Sequence, residues 1–202
     1  MGNRPYSSPE RTERRSRTQV AILEAAEAVF RERGYASATM ASVADRAGVS
    51  LPTVYLHFPS KPTLVRSLAE AITSTEAFDV RRVLTESDPL RRLAIGAHIL
   101  RQLHQRSDVV TSVLRSAANG DPEVSREWHR WQRRHLEAMR AVAQALEEQG
   151  LLRKGIDATS AADVLYTIGG PETFRQLVHE RGWSATRYEH WIAEAVSRLL
   201  LT

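Results

Sequence analysis

Apolar positions in this 202-residue chain recur every three to four residues, with polar positions between them. This spacing is typical of amphipathic helices, and no strand-like alternation stands out. A first stripe predicts a helix over residues 17–33, which ends at Gly34. Further stripes predict helices from about Ser60 to Leu84, over 89–106, 109–118 and 123–149, from Asp157 to a kink at Gly169-Gly170-Pro171, and over 184–201. We therefore expect an all-α fold of about nine helices.

Two short helices separated by a tight turn are predicted between Thr39 and His57. Thr39 and Ser50 are good N-caps for helices over 40–47 and 51–57. Gly48 stands where the first helix must end and the chain must turn, and Pro52 falls in the first turn of the second helix. This is the pattern of a helix-turn-helix. Its second helix would expose Leu51, Pro52, Thr53, Tyr55, Leu56 and His57.

Positive charge is concentrated around this motif. The net charge is +4, and residues 1–66 contain 10 Lys and Arg against 6 Asp and Glu, whereas residues 67–202 contain 18 of each sign. A basic segment beside a helix-turn-helix is expected of a DNA-binding module, although the same charge could serve only as a solubilising surface. Residues 1–16 are rich in Pro, Ser and Arg, and we expect a flexible basic arm that either stays solvated or reaches a minor groove.

The composition also bears on the compartment. Cysteine is absent, so no disulfide, thiolate zinc site or cysteine nucleophile is possible. No apolar run approaches the ~18 residues that span a bilayer, and the N-terminus has no apolar segment of the signal-peptide type. These features favour a cytoplasmic protein without membrane attachment.

Catalytic motifs are missing from the sequence. The pairs His98/His104 and His129/His135 are spaced by six residues, which does not place two histidines on one helical face. There is no HExxH, no Gly-x-Ser-x-Gly and no phosphate-binding glycine loop. We therefore predict no enzyme, no metal and no cofactor. A helical protein-interaction module and an enzyme remain the alternatives to DNA binding.

Residues 17–68 resemble the DNA-binding domain of the TetR family of bacterial transcriptional regulators. The matching pattern is Phe30-x-x-x-Gly34-Tyr35, then Thr39-Met40-x-x-Val43-Ala44-x-x-Ala47-Gly48-Val49-Ser50, then Thr53-Val54-Tyr55-x-His57-Phe58-x-Ser60-Lys61-x-x-Leu64. Pro52 departs from the pattern where a small residue is more usual, and Pro62-Thr63 departs where an acidic residue commonly follows the lysine. The remainder resembles the family only in the number and length of its helices.

The resemblance implies three parts: the flexible arm over 1–16, a helix-turn-helix DNA-binding domain over 17–62, and an effector-binding and dimerisation domain over 63–202. It implies a homodimer, paired through the last two helices, that places two recognition helices on a palindromic double-stranded DNA operator. The expected function is a ligand-responsive transcriptional regulator. We expect a repressor that a small, largely apolar effector releases through a hinge movement of the fourth helix.

Contacts with DNA can be assigned to individual residues of the motif. Leu51, Pro52 and Thr53 lead the recognition helix and are short enough to meet base edges. Tyr55 could contact a phosphate or instead pack on the first helix. The complete set of candidates for phosphate contacts is Thr39, Ser50, Tyr55, His57 and Lys61.

Polar residues that interrupt apolar stripes, together with nearby aromatic residues, are the candidates for effector binding. They are Arg101 and His104 on the helix predicted over 89–106, Trp128, Trp131, Gln132, His135 and Met139 on the helix predicted over 123–149, and Tyr166 on the helix that begins at Asp157. A cavity lined by Trp and Met with a few polar groups suits a small apolar ligand. Alternatively, Trp128, Trp131 and Met139 are ordinary core residues, and His135 is a buried histidine with satisfied hydrogen bonds.

Overall fold

The computed structural model describes residues 9–73 and 80–202, most of which are helical. The helices are α1 Pro9–Ser37, α2 Met40–Ala47, α3 Leu51–His57, α4 Lys61–Thr73, α5 Val80–Thr85, α6 Pro89–Ala117, α7 Pro122–Glu148, α8 Ala158–Ile168, α9 Pro171–Phe174 and α10 Ala185–Leu200, with a π-helical segment Arg175–Glu180 after α9. Strand-like pairing in the described residues is limited to one isolated bridge between Leu152 and Leu201. The predicted all-α fold is confirmed. Over the same ranges, no helix is long and apolar enough to cross a membrane.

The first helix begins earlier than the sequence pattern indicates. It starts at Pro9, where a proline's missing N–H costs nothing, and Arg17 pairs with Glu13 one turn earlier at 2.5 Å. Residues 9–16, which the sequence pattern assigned to a flexible basic arm, are helical in the structure, while residues 1–8 lie outside the described residues. Near its other end the helix bends at Gly34, where φ is +70°.

The helix predicted from Ser60 to Leu84 is described in two pieces, α4 and α5. The start agrees with the prediction, because the Ser60 hydroxyl accepts the backbone N–H of Thr63 at 3.4 Å. Residues 74–79, which include the predicted face residues Thr75 and Phe78, lie outside the described residues.

A single helix, α6, replaces the two helices predicted between residues 89 and 118. It runs through Ser107 and Asp108, where the break was expected. Neither residue is Gly or Pro, so both are tolerated inside a helix. The Thr111 hydroxyl donates to the Ser107 carbonyl at 2.9 Å within the intact helix. Ser107 and Asp108 therefore do not end the helix. They lie where α6 passes from the second group of buried apolar residues to the first.

Buried apolar residues form two cores. The first core joins α1–α4 to the C-terminal half of α6 and the N-terminal half of α7, which contribute Val110, Leu114, Val124 and Trp131 among others. The second core is built from α5, the rest of α6 and α7, and the helices that follow. Among the described helices, α6 and α7 contribute to both cores, so they connect the helix-turn-helix to the rest of the chain.

Small residues let α8 pack closely inside the chain. Ala161 and Ala162 are buried in the second core. At the end of α8, a Cβ on Gly169 would lie 2.8 Å from the Leu165 carbonyl oxygen and 3.0 Å from a methyl carbon of Leu100, so glycine allows this close approach. The predicted break at Gly169-Gly170-Pro171 is present, because α8 ends at Ile168 and α9 begins at Pro171.

Candidate functional site

Local hydrogen bonds fix the first helix of the helix-turn-helix. The Thr39 hydroxyl accepts the backbone N–H of Ser42 at 3.1 Å, and the Ser42 hydroxyl accepts the N–H of Thr39 at 3.1 Å, which forms a capping box. The helix ends at Gly48, whose φ of +66° is left-handed and whose N–H bonds back to the Asp45 carbonyl at 3.3 Å. Residues within one turn of each other therefore set the entry to α3.

The recognition helix α3 presents an uncovered face. Its inward residue Val54 is fully buried, whereas Leu51, Tyr55 and Leu56 are 38 %, 48 % and 73 % exposed. The Ser50 hydroxyl accepts the Thr53 N–H at 3.3 Å and caps the helix. Large exposed apolar side chains on one short helix indicate a contact surface.

All eight predicted DNA-contacting residues have exposed or partly exposed side chains in this part of the chain. Thr39, Ser50, Leu51, Pro52 and Tyr55 are exposed, and Thr53, His57 and Lys61 are partly exposed. Burial, and to a smaller extent the nearby Arg15 guanidinium, lower the pKa of His57. His57 is therefore a neutral hydrogen-bonding group near pH 7 and not a permanent charge.

Lys61 differs from the other candidates because its partly buried ammonium is hydrogen-bonded to backbone carbonyls of the protein itself. Nζ donates to the carbonyls of Tyr35 at 2.7 Å and Ala38 at 3.0 Å, and it lies 4.2 Å from the centroid of the Tyr35 ring. Burial lowers the pKa of Lys61, and the Asp121 carboxylate opposes that effect. One of the three ammonium N–H groups remains for a phosphate.

Tyr35 continues this contact to the start of α7. Its hydroxyl donates to Oδ2 of Asp121 at 2.6 Å, while Oδ1 of Asp121 accepts the N–H groups of Glu123 and Val124 as the N-cap of α7. Burial and this hydrogen bond raise the pKa of Tyr35, and the same bond lowers the pKa of Asp121. Sequence reasoning identified Asp121 only as part of a turn, although Asp before Pro122 is also an N-cap signal.

A cavity of about 260 Å³ lies between α6, α7 and the α8–α9 break. Four of the predicted effector residues line it, namely Trp128, Trp131, Gln132 and Tyr166. Sequence reasoning missed its other polar lining, because these residues lie on polar helix faces and in the predicted kink: Asp108, Thr111, Ser112, Arg115, Thr167, Glu172 and Arg175.

Stacked rings form one wall of this cavity. The rings of Trp128 and Trp131 are 5.4 Å apart and 7° from parallel, and Trp131 stacks on His135 at 5.4 Å and 16°. The His135 ring is also 5.2 Å from the Tyr166 ring. Trp131 therefore belongs to the cavity wall and to the first core at the same time.

The remaining predicted effector residues do not line this cavity. Arg101 forms a salt bridge with Glu189 on α10. The Glu189 carboxylate is also 3.1 Å from Nδ1 of His98. Met139 lines a separate apolar cavity of about 60 Å³ in the second core. The spacing along α6 and α7 placed these residues on the correct stripes, but each long helix faces different neighbours along its length.

The two buried histidines, His104 and His135, lie just behind the cavity wall. His104 is 1 % exposed and its Nε2 is 2.9 Å from the Gly169 carbonyl oxygen, while His135 is 4 % exposed. Burial lowers the pKa of His104 to about 4, and the Gly169 carbonyl opposes this shift. Burial likewise lowers the pKa of His135 to about 4, against the effect of the nearby Tyr166 backbone. Both imidazoles are neutral near pH 7.

Comparison with known proteins agrees with this architecture. Residues 22–68 match the family described as "Bacterial regulatory proteins, tetR family". The chain is 41 % identical over 93 residues to the transcriptional activator FasR of Mycolicibacterium smegmatis, covering 46 % of this chain and 41 % of FasR. It is 28 % identical over 157 residues to the transcriptional regulator TtgR of Pseudomonas putida, covering 74 % of this chain and 75 % of TtgR.

The fold itself recurs in solved structures. NalD of Pseudomonas aeruginosa, described as the secondary repressor of the MexAB-OprM multidrug efflux pump, superposes with a TM-score of 0.74 at 22 % identity, covering 94 % of this chain and 98 % of NalD. The capped helix-turn-helix, the matched family model and the regulators of similar sequence lead to one conclusion: the protein belongs to the TetR family of bacterial transcriptional regulators.

Proposed function

We propose that this protein is a cytoplasmic repressor that binds a palindromic operator as a homodimer and leaves it when a small, largely apolar effector occupies the cavity. The proposal is supported by the uncovered face of α3 and by the cavity in the same chain. The observation that carries it is Trp131, because this one side chain lines the cavity and packs in the core that holds α1–α4.

On DNA, α3 enters the major groove with Leu51, Pro52 and Thr53 at the base edges. The N-terminal ends of α2 and α3, capped by Thr39 and Ser50, approach phosphates, because backbone N–H groups are free at helix starts. Tyr55, His57 and the free N–H of Lys61 complete the phosphate contacts. The domain boundary lies near residue 62, where α4 begins.

Two protomers pair through α8 and α10. This assignment is supported by Leu199, which is 47 % exposed, and by the half-buried Val164 and Ile168 on α8. Such outward apolar residues beside a complete core are typical of an interface. A twofold dimer presents two α3 helices, and its half-sites lie about 34–36 Å apart or at multiples of that distance.

Effector binding is transmitted to α3 along α7. The helix contributes Trp128 and Trp131 to the cavity, and its N-cap Asp121 holds Tyr35, which lies under Lys61 at the start of α4. A shift of α7 therefore moves α1 and α4 together, in addition to the hinge expected in α4. The effector must bind the off-DNA conformation more tightly than the DNA-bound one, since otherwise no population shifts.

A gel-shift titration of the full chain on DNA from upstream of its own gene tests this proposal. We expect a discrete complex whose affinity falls steeply as salt rises, because phosphate contacts release counterions. A reporter driven by the same DNA should be repressed by the protein. Absence of a retarded band on any tested fragment at low salt would contradict operator binding, and activation of the reporter would contradict repression.

Thr53→Ala tests the direct reading of bases by α3. We expect about 1–3 kcal/mol weaker binding, concentrated at one base-pair position of each half-site. Thr85→Ala on α5 is the matched control, since Thr85 is exposed and lies outside both the helix-turn-helix and the helices assigned to pairing. Equal losses for both variants, or an unchanged base preference for Thr53→Ala, would remove Thr53 from the contact set.

A further inference from the structure

Several buried polar atoms without a hydrogen-bond partner lie behind the effector cavity. Within the described residues they are Nδ1 of His104, Oγ of Ser107, both ring nitrogens of His135 and Oη of Tyr188. Buried polar groups are nearly always paired, since an unpaired one has lost water without replacement. Such a group of unpaired atoms beside a cavity therefore suggests that a partner is missing.

These atoms form one neighbourhood. His104 and Ser107 are three residues apart on α6 and so share a face, and the His135 ring is close enough to His104 that its positive charge would lower the pKa of His104. The Tyr188 ring contacts the His104 ring edge-on at a centroid distance of 6.1 Å. We call His104, Ser107 and His135 the inner polar cluster.

Two rings of the cavity wall contact the His135 member of the inner polar cluster. Trp131 and Tyr166 line the cavity and contact the His135 ring at 5.4 and 5.2 Å. Within the residues that the structure describes, the Tyr166 hydroxyl makes no hydrogen bond, so its side chain can turn without breaking one. Thr111 also lines the cavity, and its hydroxyl donates to the Ser107 carbonyl at 2.9 Å. Ser107 therefore lies one helical turn from the cavity wall.

Positive charge at the cavity mouth is balanced by neighbouring carboxylates. Glu172 pairs with Arg175 and lies 3.5 Å from Arg115. Asp108 is 3.1 Å from Nε2 of His179, a pair that is ionic only when the imidazole is protonated. The buried histidines are neutral near pH 7 because desolvation disfavours their charged forms. The cavity therefore offers no unpaired positive charge for an anionic ligand, and its inner end offers no charge at all.

We propose that the effector is an uncharged aromatic compound that carries a hydroxyl group, with its ring against Trp128 and Trp131 and its hydroxyl bonded to His135 and Ser107 after the Tyr166 ring turns aside. This inference rests on the proposed function and assigns the chemistry of its effector. The volume is adequate for one or two fused rings, since a cavity of about 150 Å³ accommodates benzene.

A hydroxyl group matches the inner polar cluster better than other neutral groups. A neutral imidazole offers one donor and one acceptor, and a serine hydroxyl offers both. A ligand hydroxyl can donate to an imidazole nitrogen and accept from Ser107, whereas an ether or carbonyl oxygen can only accept. A site that pairs a hydroxyl rejects the analogue that lacks it, because its own groups then stay unpaired.

Binding of matched aromatic pairs to the DNA-free full chain tests the inference. The probes are 2-naphthol against naphthalene and 2-naphthoate, and 4-phenylphenol against biphenyl, followed by calorimetry or by tryptophan fluorescence. We expect each hydroxyl compound to bind at least tenfold more tightly than its parent and than the carboxylate. Equal binding of alcohol and parent, tighter binding of the carboxylate, or no binding of any probe would overturn the proposed ligand class.

Variants then locate the preference. His135→Leu and Ser107→Ala should each reduce the hydroxyl preference to less than threefold while leaving the affinity for naphthalene unchanged. His190→Leu, the same change at an exposed histidine of α10, should keep the wild-type preference. An unchanged preference in both cluster variants would mean that the unpaired atoms hold buried water only.

Folding and DNA binding are measured separately from ligand preference. His135→Leu removes an unpaired buried polar group and is expected to fold, as circular dichroism would show; Ser107→Ala repeats the test with a smaller change. A chain that retards its operator but shows no hydroxyl preference would refute this inference alone. A chain that shows the preference but binds no DNA would refute the proposed function alone.

Discussion

At the scale of single residues, Lys61 combines two roles that its sequence pattern does not separate. The pattern presents a lysine at the start of α4, suited to phosphate. In the structure its ammonium holds two backbone carbonyls at the end of α1. A substitution at this position therefore changes both the stability of the DNA-binding part and its contacts.

Lys61→Ala should lower the free energy of unfolding by about 1–2 kcal/mol, because two buried carbonyls lose a charged donor. It should also reduce the slope of log affinity against log salt by about 0.9, the value for one lost phosphate contact. Urea unfolding and salt-dependent gel shifts measure the two effects. A lower stability with an unchanged salt slope would leave Lys61 a structural residue only.

Buried histidines give the fold a pH dependence. The pKa values of His104 and His135 are near 4 when folded, against about 6.5 in an unfolded chain, so the unfolded state binds more protons between these values. Stability is therefore complete above about pH 6.5 and is lost as the pH falls towards 4. We expect each histidine to contribute a loss of roughly 2 kcal/mol between pH 7.5 and pH 5.

Urea unfolding of the wild type and of His135→Leu at several pH values checks this expectation. Between pH 7.5 and pH 5, the unfolding free energy of His135→Leu should fall by roughly 2 kcal/mol less than that of the wild type, because one of the two buried histidines is absent. His190→Leu, at an exposed position, should follow the wild-type curve. Parallel curves for His135→Leu and the wild type would show that His135 is not buried in its neutral form.

At the scale of elements, α7 is the connection between the cavity and the DNA-binding part. Its stripe of apolar and aromatic residues was visible in the sequence, and the helix was placed within one or two residues of its observed ends. The sequence did not show which elements pack against each half of α7. The first half packs against α1 and α4 in the first core, and the second half packs in the second core.

Tyr35→Phe tests this connection with a minimal change. The ring that packs on Phe30 and lies under Lys61 is kept, while the hydrogen bond to Asp121 is lost. We expect stability to fall by about 1 kcal/mol and effector-induced release from DNA to need a higher effector concentration. Release at the wild-type concentration in Tyr35→Phe would rule out this path.

At the scale of the whole molecule, the proposed function requires two copies at a fixed separation. One chain contains a complete recognition helix, but specificity on a palindrome comes from the spacing of two such helices. The surface of α10 that we assign to pairing has little effect on the single chain, since Leu199 is 47 % exposed. Changes there should therefore affect assembly more than folding.

Leu199→Glu should convert the dimer to monomer and abolish operator binding while the helical content stays the same. Leu90→Glu is the control, because Leu90 is 67 % exposed at the start of α6 and is on neither of the helices assigned to pairing. Light scattering after gel filtration and gel shifts report the two properties. A dimer that survives Leu199→Glu would move the interface elsewhere on the surface.

Sequence by itself determined what depends on neighbours within a few residues. The caps at Thr39 and Ser50, the left-handed Gly48 and the break before Pro171 were all predicted and are present. Each relies on hydrogen bonds or backbone limits within one turn, so the local residues contain the necessary information. The same limits explain the errors: the polar pair at Ser107 suggested a loop, and the early start at Pro9 had no apolar stripe to reveal it.

Only the tertiary structure decided which residues of each stripe meet. Tyr35 and Asp121 are 86 residues apart, and His104 meets the Gly169 carbonyl 65 residues further along the chain. Such contacts depend on how long helices cross, and a small change in crossing angle exchanges one neighbour for another. For that reason the sequence indicated Trp131 and His135 only as candidates. Packing placed Trp131 in the cavity wall and His135 behind it, with no hydrogen-bond partner for its ring nitrogens.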